Sequence, residues 1–307
     1  MSVRVGLDIG GTKMHGVLLA PDGSVLAERR AGTVPGPEGV VRGAVEVVTA
    51  LCAGQAPAGV GIGVPGLVDP ASGSVRHAFN LGLDAEPFPL VRRVGERLRT
   101  EGVLGADRPV ALENDLNASA LGAAALLDVG DDLAYLALGT GVAVGLVLEG
   151  RLRRGAHGLA GEVGHLPVRP GGAECPCGQR GCLELYASGS GLAREVQHDG
   201  PEPLAAVVFD AAARGERHAR EVRDRLLDGV ADVVQMLVLT LDVGAVVLGG
   251  GIARLGEPLL AGVRSRLEGR EGTSGFLAAA GLARRVRLAP TDVPVGAVGA
   301  ALALGDH

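Results

Sequence analysis

At 307 residues the chain can bury roughly three-quarters of its unfolded surface, so it needs no covalent staples and has room for one large domain or two of about 150 residues. Hydrophobic residues at 47 %, charged residues at 21 % and a formal net charge of -6, with no long basic run, exclude nucleic acid as the main expected partner. Aromatics at 2 % with no Trp leave few platforms on which bases or sugar rings could stack.

The chain runs from Met1-Ser2-Val3-Arg4-Val5 straight into a strand, with no charged segment followed by an apolar stretch and no window of eighteen uninterrupted apolar residues. No signal peptide, membrane span or membrane partner is expected, and the expected location is cytoplasmic. The first strand covers 3–8 and meets the glycine turn Gly10-Gly11-Thr12-Lys13. Residues 14–19 are apolar again, and Pro21-Asp22-Gly23 turns the chain into 24–31, completing a three-stranded meander. Val40, Val41, Ala44, Val47, Val48 and Leu51 recur at helical spacing and predict a helix over 38–52. A strand at 59–64, a helix at 89–100, a strand at 110–113 and a helix at 115–127 follow.

Then the pattern restarts. A strand at 133–138, the turn Gly139-Thr140-Gly141 and a returning strand at 142–149 mirror the opening hairpin. Helices near 189–197, 202–214 and 219–241 lead to a strand at 243–248 that ends in Gly249-Gly250-Gly251. A helix at 256–268, a strand at 285–289 and a final helix at 294–304 complete an α/β chain.

Glycine turns between strands bring backbone N–H groups within reach of phosphate oxygens, because no Cβ intervenes. Two such turns in corresponding places suggest a clamp on a polyphosphate, while the spacing around Lys13 does not match a P-loop. Cys175, Cys177 and Cys182 cluster, whereas Cys52 stands alone. With His165 they offer three thiolates and one imidazole, a common tetrahedral zinc set. Four protein ligands close such a site, so the metal is expected to be structural.

The segments LDIGGTK at 7–13, GIGVPGLVD at 61–69, LENDLNASALGAA at 112–124, LGTG at 138–141, RRGAHGLAGEVGH at 153–165, CPCGQRGCLE at 175–184 and VVLGGGIA at 246–253 resemble, in order and over nearly the whole length, the ROK family (repressors, open reading frames and kinases). That family lies within the sugar-kinase, heat-shock-70 and actin superfamily. The resemblance implies two ribonuclease-H-like, actin-like ATPase domains with an interdomain active-site cleft. One would use 1–117 plus 291–307, and the larger 118–290 with the zinc-binding loop.

The activity implied is transfer of the γ-phosphate of ATP to the 6-hydroxyl of a hexose, glucose favoured, with Asp115 as catalytic base. Gly66, Asn114, Asp115, Glu162, His165 and Glu184 would bind the sugar. The phosphates would meet Gly10, Gly11, Thr12 and Lys13 on one side and Gly139, Thr140 and Gly141 on the other. Gly249, Gly250 and Gly251 would meet the adenosine, and Asp8 would act near Mg²⁺ through water. Zinc on His165, Cys175, Cys177 and Cys182 would aim Glu162, His165 and Glu184 at the sugar.

Two positions depart from the family pattern. Ala143 and Val144 stand where the second phosphate loop usually carries more glycine, which predicts weaker donor binding. Asn80-Leu81-Gly82-Leu83 stands where many family glucokinases have an aromatic. An N-acetylhexosamine or mannose kinase, polyphosphate as donor, and a non-catalytic sugar-sensing regulator are the alternatives; the last is disfavoured because only seven residues precede Asp8. A homodimer or homotetramer is expected.

Overall fold

The computed structural model describes residues 3–305, and the chain divides into two compact units. One runs up to Asp128 and resumes at Pro290, and the other is Val129–Ala289. The expected boundary at 117/118 falls inside a helix that the first unit keeps whole. Residues 1–2 and 306–307, at the ends of the expected domain bounds, lie outside the described residues.

The first unit opens with β1 (Arg4–Ile9), β2 (Lys13–Leu19) and β3 (Val25–Gly32), then α1 (Pro37–Cys52), β4 (Val60–Val64), the hairpin β5 (Leu67–Asp69) and β6 (Ser74–Arg76), α2 (Leu90–Thr100), β7 (Val110–Asn114) and α3 (Asp115–Leu126). The sheet order is β3-β2-β1-β4-β7. β1 pairs antiparallel with β2, while β1, β4 and β7 run parallel. β1 is central and covered on both faces, so it reads as a continuous apolar run; β3 lies at the edge and alternates between half-buried and exposed positions. The register puts Asp8 opposite Gly63 and Gly63 opposite Glu113. One row at the carboxyl ends of the parallel strands therefore holds two carboxylates, with Asp115 two residues beyond.

The second unit repeats this plan with β8 (Leu133–Leu138), β9 (Val142–Leu148) and β10 (Arg151–Leu152). The short α4 (Glu184–Ala187) and α5 (Gly189–Ala193) follow, then α6 (Leu204–Ala213), α7 (Arg217–Leu241), β11 (Ala245–Gly249), α8 (Gly250–Ala253), α9 (Glu257–Thr273), α10 (Gly275–Ala280) and β12 (Val286–Leu288). Its sheet order, β10-β9-β8-β11-β12, matches the first strand for strand. Its core joins the sheet to α6, α7 and α9 through Leu136, Val144, Leu226, Val230, Leu259 and Val263.

The chain then returns to the first unit as α11 (Val295–Leu302). This helix packs backbone against backbone. A methyl group at Gly61 would run into the Ala300 carbonyl, and one at Gly299 into the Ala118 carbonyl. Only glycine at these places lets α11 seal β4 and α3, and α11 and α3 share the longest helix contact of this unit.

Most predicted elements appear within a residue or two. The helix expected over 189–197 is shorter: α5 stops at Ala193, and the extended Ser188 (φ −128, ψ 168) separates it from α4 and caps it by accepting the Gly191 N–H at 3.0 Å. The helix expected to end at 268 runs on to Thr273 and is followed by α10, capped by Ser274. Among the described residues no helix is long and apolar enough to cross a membrane.

Candidate active site

In the first unit, α3 begins directly where β7 ends. Asn114 is its N-cap: Oδ1 accepts from the N–H groups of Leu116 (3.0 Å) and Asn117 (3.4 Å). Such a cap stabilises a helix start by ~1 kcal/mol. The Asn114 amide also donates to the Gly66 carbonyl at 3.3 Å, so one side chain ties α3 to the β4–β5 loop. Gly66 has φ +100, a conformation that a side chain resists, and a methyl there would press on Arg76 and Ala78.

Asp115 is the first helical residue, and its Oδ1 accepts the Leu116 N–H at 2.9 Å. Burial raises its pKa, and that N–H pulls it partly back. Asp8 is raised further, to about 6: burial is the main cause, the neighbouring Asp115 carboxylate adds to it, and Lys13 opposes both. Two carboxylates thus share a half-buried place with one nearby ammonium. A divalent cation fits that imbalance.

Glu113 is 2 % exposed. Its Oε1 accepts the Asn114 N–H and the Asn117 amide, both at 2.9 Å. Sequence reasoning passed over Glu113 and Asn117; the only signal was a carboxylate in an otherwise apolar strand.

The first glycine turn is closed by Gly10 N–H donating to the Lys13 carbonyl at 2.9 Å. Thr33, also missed, braces it: its hydroxyl donates to the Gly10 carbonyl at 2.6 Å and its N–H to the Thr12 carbonyl at 3.1 Å. Thr12 and Lys13 are exposed, and Lys13 is the only lysine in the chain. Gly11 lies against Asn80, so the 79–81 turn supports this loop. Gly296, at the start of α11, lies beside the Asp8 carboxylate: a methyl there would sit 2.9 Å from Oδ2.

In the second unit, Gly139-Thr140-Gly141 forms the corresponding turn, closed by Gly139 N–H donating to the Gly141 carbonyl at 3.0 Å. Ala143 and Val144 do not belong to this loop. They pair with Ala137 and Leu136 inside β9, and Val144 is fully buried. The ladder, not the turn, governs their conformation. Gly249 ends β11 opposite Ala137, and Gly250 (φ +82) opens α8 packed against Leu138. The two glycine segments are therefore neighbours.

Glu162 is exposed, and its carbonyl accepts the His165 N–H at 3.3 Å. The ligand atoms of His165, Cys175, Cys177 and Cys182 all lie within 4.8 Å of one another, and all the cysteines are free thiols. Nδ1 of His165 is buried with no hydrogen-bond partner. Backbone pairing of Leu183 with Leu166 and a bridge between Pro167 and Cys182 hold the two halves of the cluster together. Donor types, spacing and the orphaned nitrogen fit a zinc ion.

The structure thus gathers Asp8, the first turn, Gly66, Asn114 and Asp115 in one unit. Glu184, the second turn, the Gly249 segment and the Cys/His cluster gather in the other.

Comparison with known proteins bears on this arrangement. The family model described as ROK family matches residues 4–302. A glucokinase of Thermotoga maritima is 34 % identical over 283 residues, covering 86 % of each chain. Among solved structures, a ROK hexokinase from Thermus thermophilus superposes with a TM-score of 0.77 at 32 % identity, covering 98 % of this chain and 97 % of the other. A ROK family glucokinase from Streptomyces griseus, in complex with glucose and AMPPNP, gives a TM-score of 0.70 at 30 % identity, covering 97 % and 98 %.

Proposed function

The chain belongs to the ROK family, and we propose that it transfers the γ-phosphoryl group of ATP to the 6-hydroxyl of a hexose, with glucose the favoured acceptor. The observation that carries this reading is the Asp8–Asp115 pair: two mutually repelling carboxylates at the carboxyl ends of parallel strands, beside a glycine turn and a lysine.

In this reading Asp115 accepts the proton of the attacking hydroxyl. Its place at the start of α3 and the Leu116 N–H hold it ionised and fix its direction. A carboxylate is too weak a base to form an alkoxide first, so the proton moves late, as the phosphoryl group transfers. Catalysis then rests on positioning and charge neutralisation. Asn114 and Gly66, already joined to each other, present hydroxyl-binding groups next to that base. Asp8 would hold Mg²⁺ through water, and the ion would neutralise phosphate charge. Lys13, with the N–H groups of Gly11 and Thr12, cradles phosphate oxygens in a turn that Gly10 closes, as do the N–H groups of Thr140 and Gly141 in the turn that Gly139 closes. Gly249, Gly250 and Gly251 take the adenosine.

In the second unit, Glu162, His165 and Glu184 would bind hydroxyls of the acceptor. Zinc on His165, Cys175, Cys177 and Cys182 is structural in this reading: all four positions are protein donors, so its work is to fix one ring nitrogen and the loop that carries Glu184.

An assay coupling ADP release to oxidation of a reporter, run with glucose, mannose, N-acetylglucosamine and N-acetylmannosamine, tests the proposal. Polyphosphate is run as an alternative donor. No ADP from any of these sugars, in protein that binds them, would defeat it. A cytoplasmic homodimer or homotetramer is the proposed assembly; light scattering on the eluting peak tests it.

A further inference from the structure

Glu184 has more to do than its place in the acceptor site requires. It follows Cys182 by two residues and opens α4. Its Oε2 accepts the Val142 N–H at 3.2 Å, immediately after the second glycine turn. The carboxylate lies so close over Gly141 that a methyl group there would collide with Oε2. The rest of the turn is fastened to the same short segment. Gly189 donates its N–H to the Gly139 carbonyl at 2.8 Å, and Ser190 donates to the Thr140 carbonyl at 3.0 Å. Residues 184–190 therefore bracket 139–142 from end to end, and among the described residues Glu184 supplies the side-chain bond that crosses from one segment to the other.

We propose that Glu184 is the positioning residue of the donor loop. One carboxylate oxygen holds Val142 and so fixes Gly139-Thr140-Gly141 for phosphate, leaving the other oxygen for a hydroxyl of the acceptor. This rests on the kinase reading above and adds to it a physical link between the two substrates. A hydroxyl that orders the Glu184 carboxylate also orders the loop, so sugar and nucleotide bind with positive coupling, and coupling of this kind is reciprocal. The Cys/His cluster enters through Cys182 and Leu183, whose N–H is bonded to the Leu166 carbonyl at 2.9 Å. Loss of the metal would therefore loosen donor as well as acceptor.

The test is nucleotide affinity measured with no sugar present, by calorimetric titration of Mg²⁺·AMPPNP into wild type, Glu184→Ala and Glu184→Gln. Thermal unfolding and zinc content confirm that each variant is folded. Alanine removes the acceptor for Val142 N–H and is expected to weaken nucleotide binding about three- to tenfold. Glutamine keeps an amide oxygen for that N–H, so its sugar-free nucleotide affinity stays within about twofold of wild type while its affinity for glucose falls. Hydrogen exchange across 139–148 should quicken in the alanine variant and not in the glutamine one. A residue that merely touches sugar would leave sugar-free nucleotide binding unchanged in both, and that result overturns the inference while leaving the kinase reading intact. Wild-type protein that binds no Mg²⁺·AMPPNP at all overturns both.

Discussion

Replacing Asp8 by Asn should make the protein more stable and less active, and the structure sets the size of the gain. The Asp8 carboxyl is raised from its ordinary 3.8 to about 6 by burial, by the Asp115 charge and against the pull of Lys13. A raised carboxyl pKa means that the folded protein holds a proton which the unfolded chain has already released. Stability therefore falls as pH rises from 3.8 to about 6; the penalty is absent below that window and complete above it. At about 1.4 kcal/mol per pH unit the full penalty is about 3 kcal/mol, reduced to about half by the side chain's remaining contact with water. Asparagine fits the same space and carries no charge at any pH.

Urea unfolding of metal-free wild type and Asp8→Asn should then show the variant ahead by about 1.5–3 kcal/mol at pH 7.5 and by about half of that at pH 5. Magnesium nucleotide should close the gap by stabilising wild type, because it supplies the positive charge the site lacks. An advantage for Asn that stays flat or shrinks as pH rises would refute the reasoning, since no other account of the substitution produces that slope.

Four further outcomes follow from named contacts. Asp115→Asn should lower kcat by about 10²–10⁴-fold while sugar affinity stays within about tenfold; a variant retaining a tenth of wild-type turnover would show that Asp115 is not the base. Because Lys13 is the only lysine, an amine-directed reagent should place a single side-chain adduct, read by mass spectrometry, and Mg²⁺·AMPPNP should block it; labelling indifferent to nucleotide removes Lys13 from the phosphate site. Val144→Gly should cost about 2–4 kcal/mol in denaturant unfolding, for a fully buried strand side chain, and should not lower the KM for ATP. Cys177→Ser should release zinc, measured by elemental analysis, and weaken sugar binding with it; full sugar affinity in verified zinc-free protein would end the positioning role.

The glycine turns, the Cys/His cluster and the Glu113-Asn114-Asp115 stretch were legible because each is local: a few adjacent residue types suffice to make a tight turn, a ligand set or a helix start. What escaped notice depends on distant neighbours. Thr33 looks like an unremarkable residue after an edge strand, and only the folded hairpin brings its hydroxyl to Gly10. Gly296 sits in an apolar helix with no polar signal, and its smallness matters because Asp8 lies beside it. Val144 shows the same dependence in reverse. Its neighbours in sequence are a phosphate turn, but its neighbours in space are Leu136 and the Gly161 carbonyl that accepts its N–H at 2.9 Å. The unit boundary was expected at 117/118, whereas α3 continues through it as one helix packed against α11.

The two units use one scaffold for different electrostatic work. In the first, the hairpin closes at the Ile9–Met14 pair with Asp8 one step back; in the second it closes at Leu138–Val142 with Ala137 in the corresponding step. A carboxylate and a methyl thus occupy equivalent places beside equivalent turns. A polyphosphate brings its own negative charge, so a second carboxylate at such a turn would add repulsion that only another cation could offset. The first unit carries both the acid and the lone lysine, the combination that the kinase reading assigns to the cation. The second has neither at its turn. It is held instead from behind, by the N–H groups of Gly189 and Ser190 bonded to the turn's carbonyls and by the Glu184 oxygen bonded to Val142. Those bonds take up the carbonyls of Gly139 and Thr140, which leaves the Thr140 and Gly141 N–H groups as the donors the turn can offer to a phosphate. The fold presents the same shape twice, and the side chains behind each turn decide what each copy can bind.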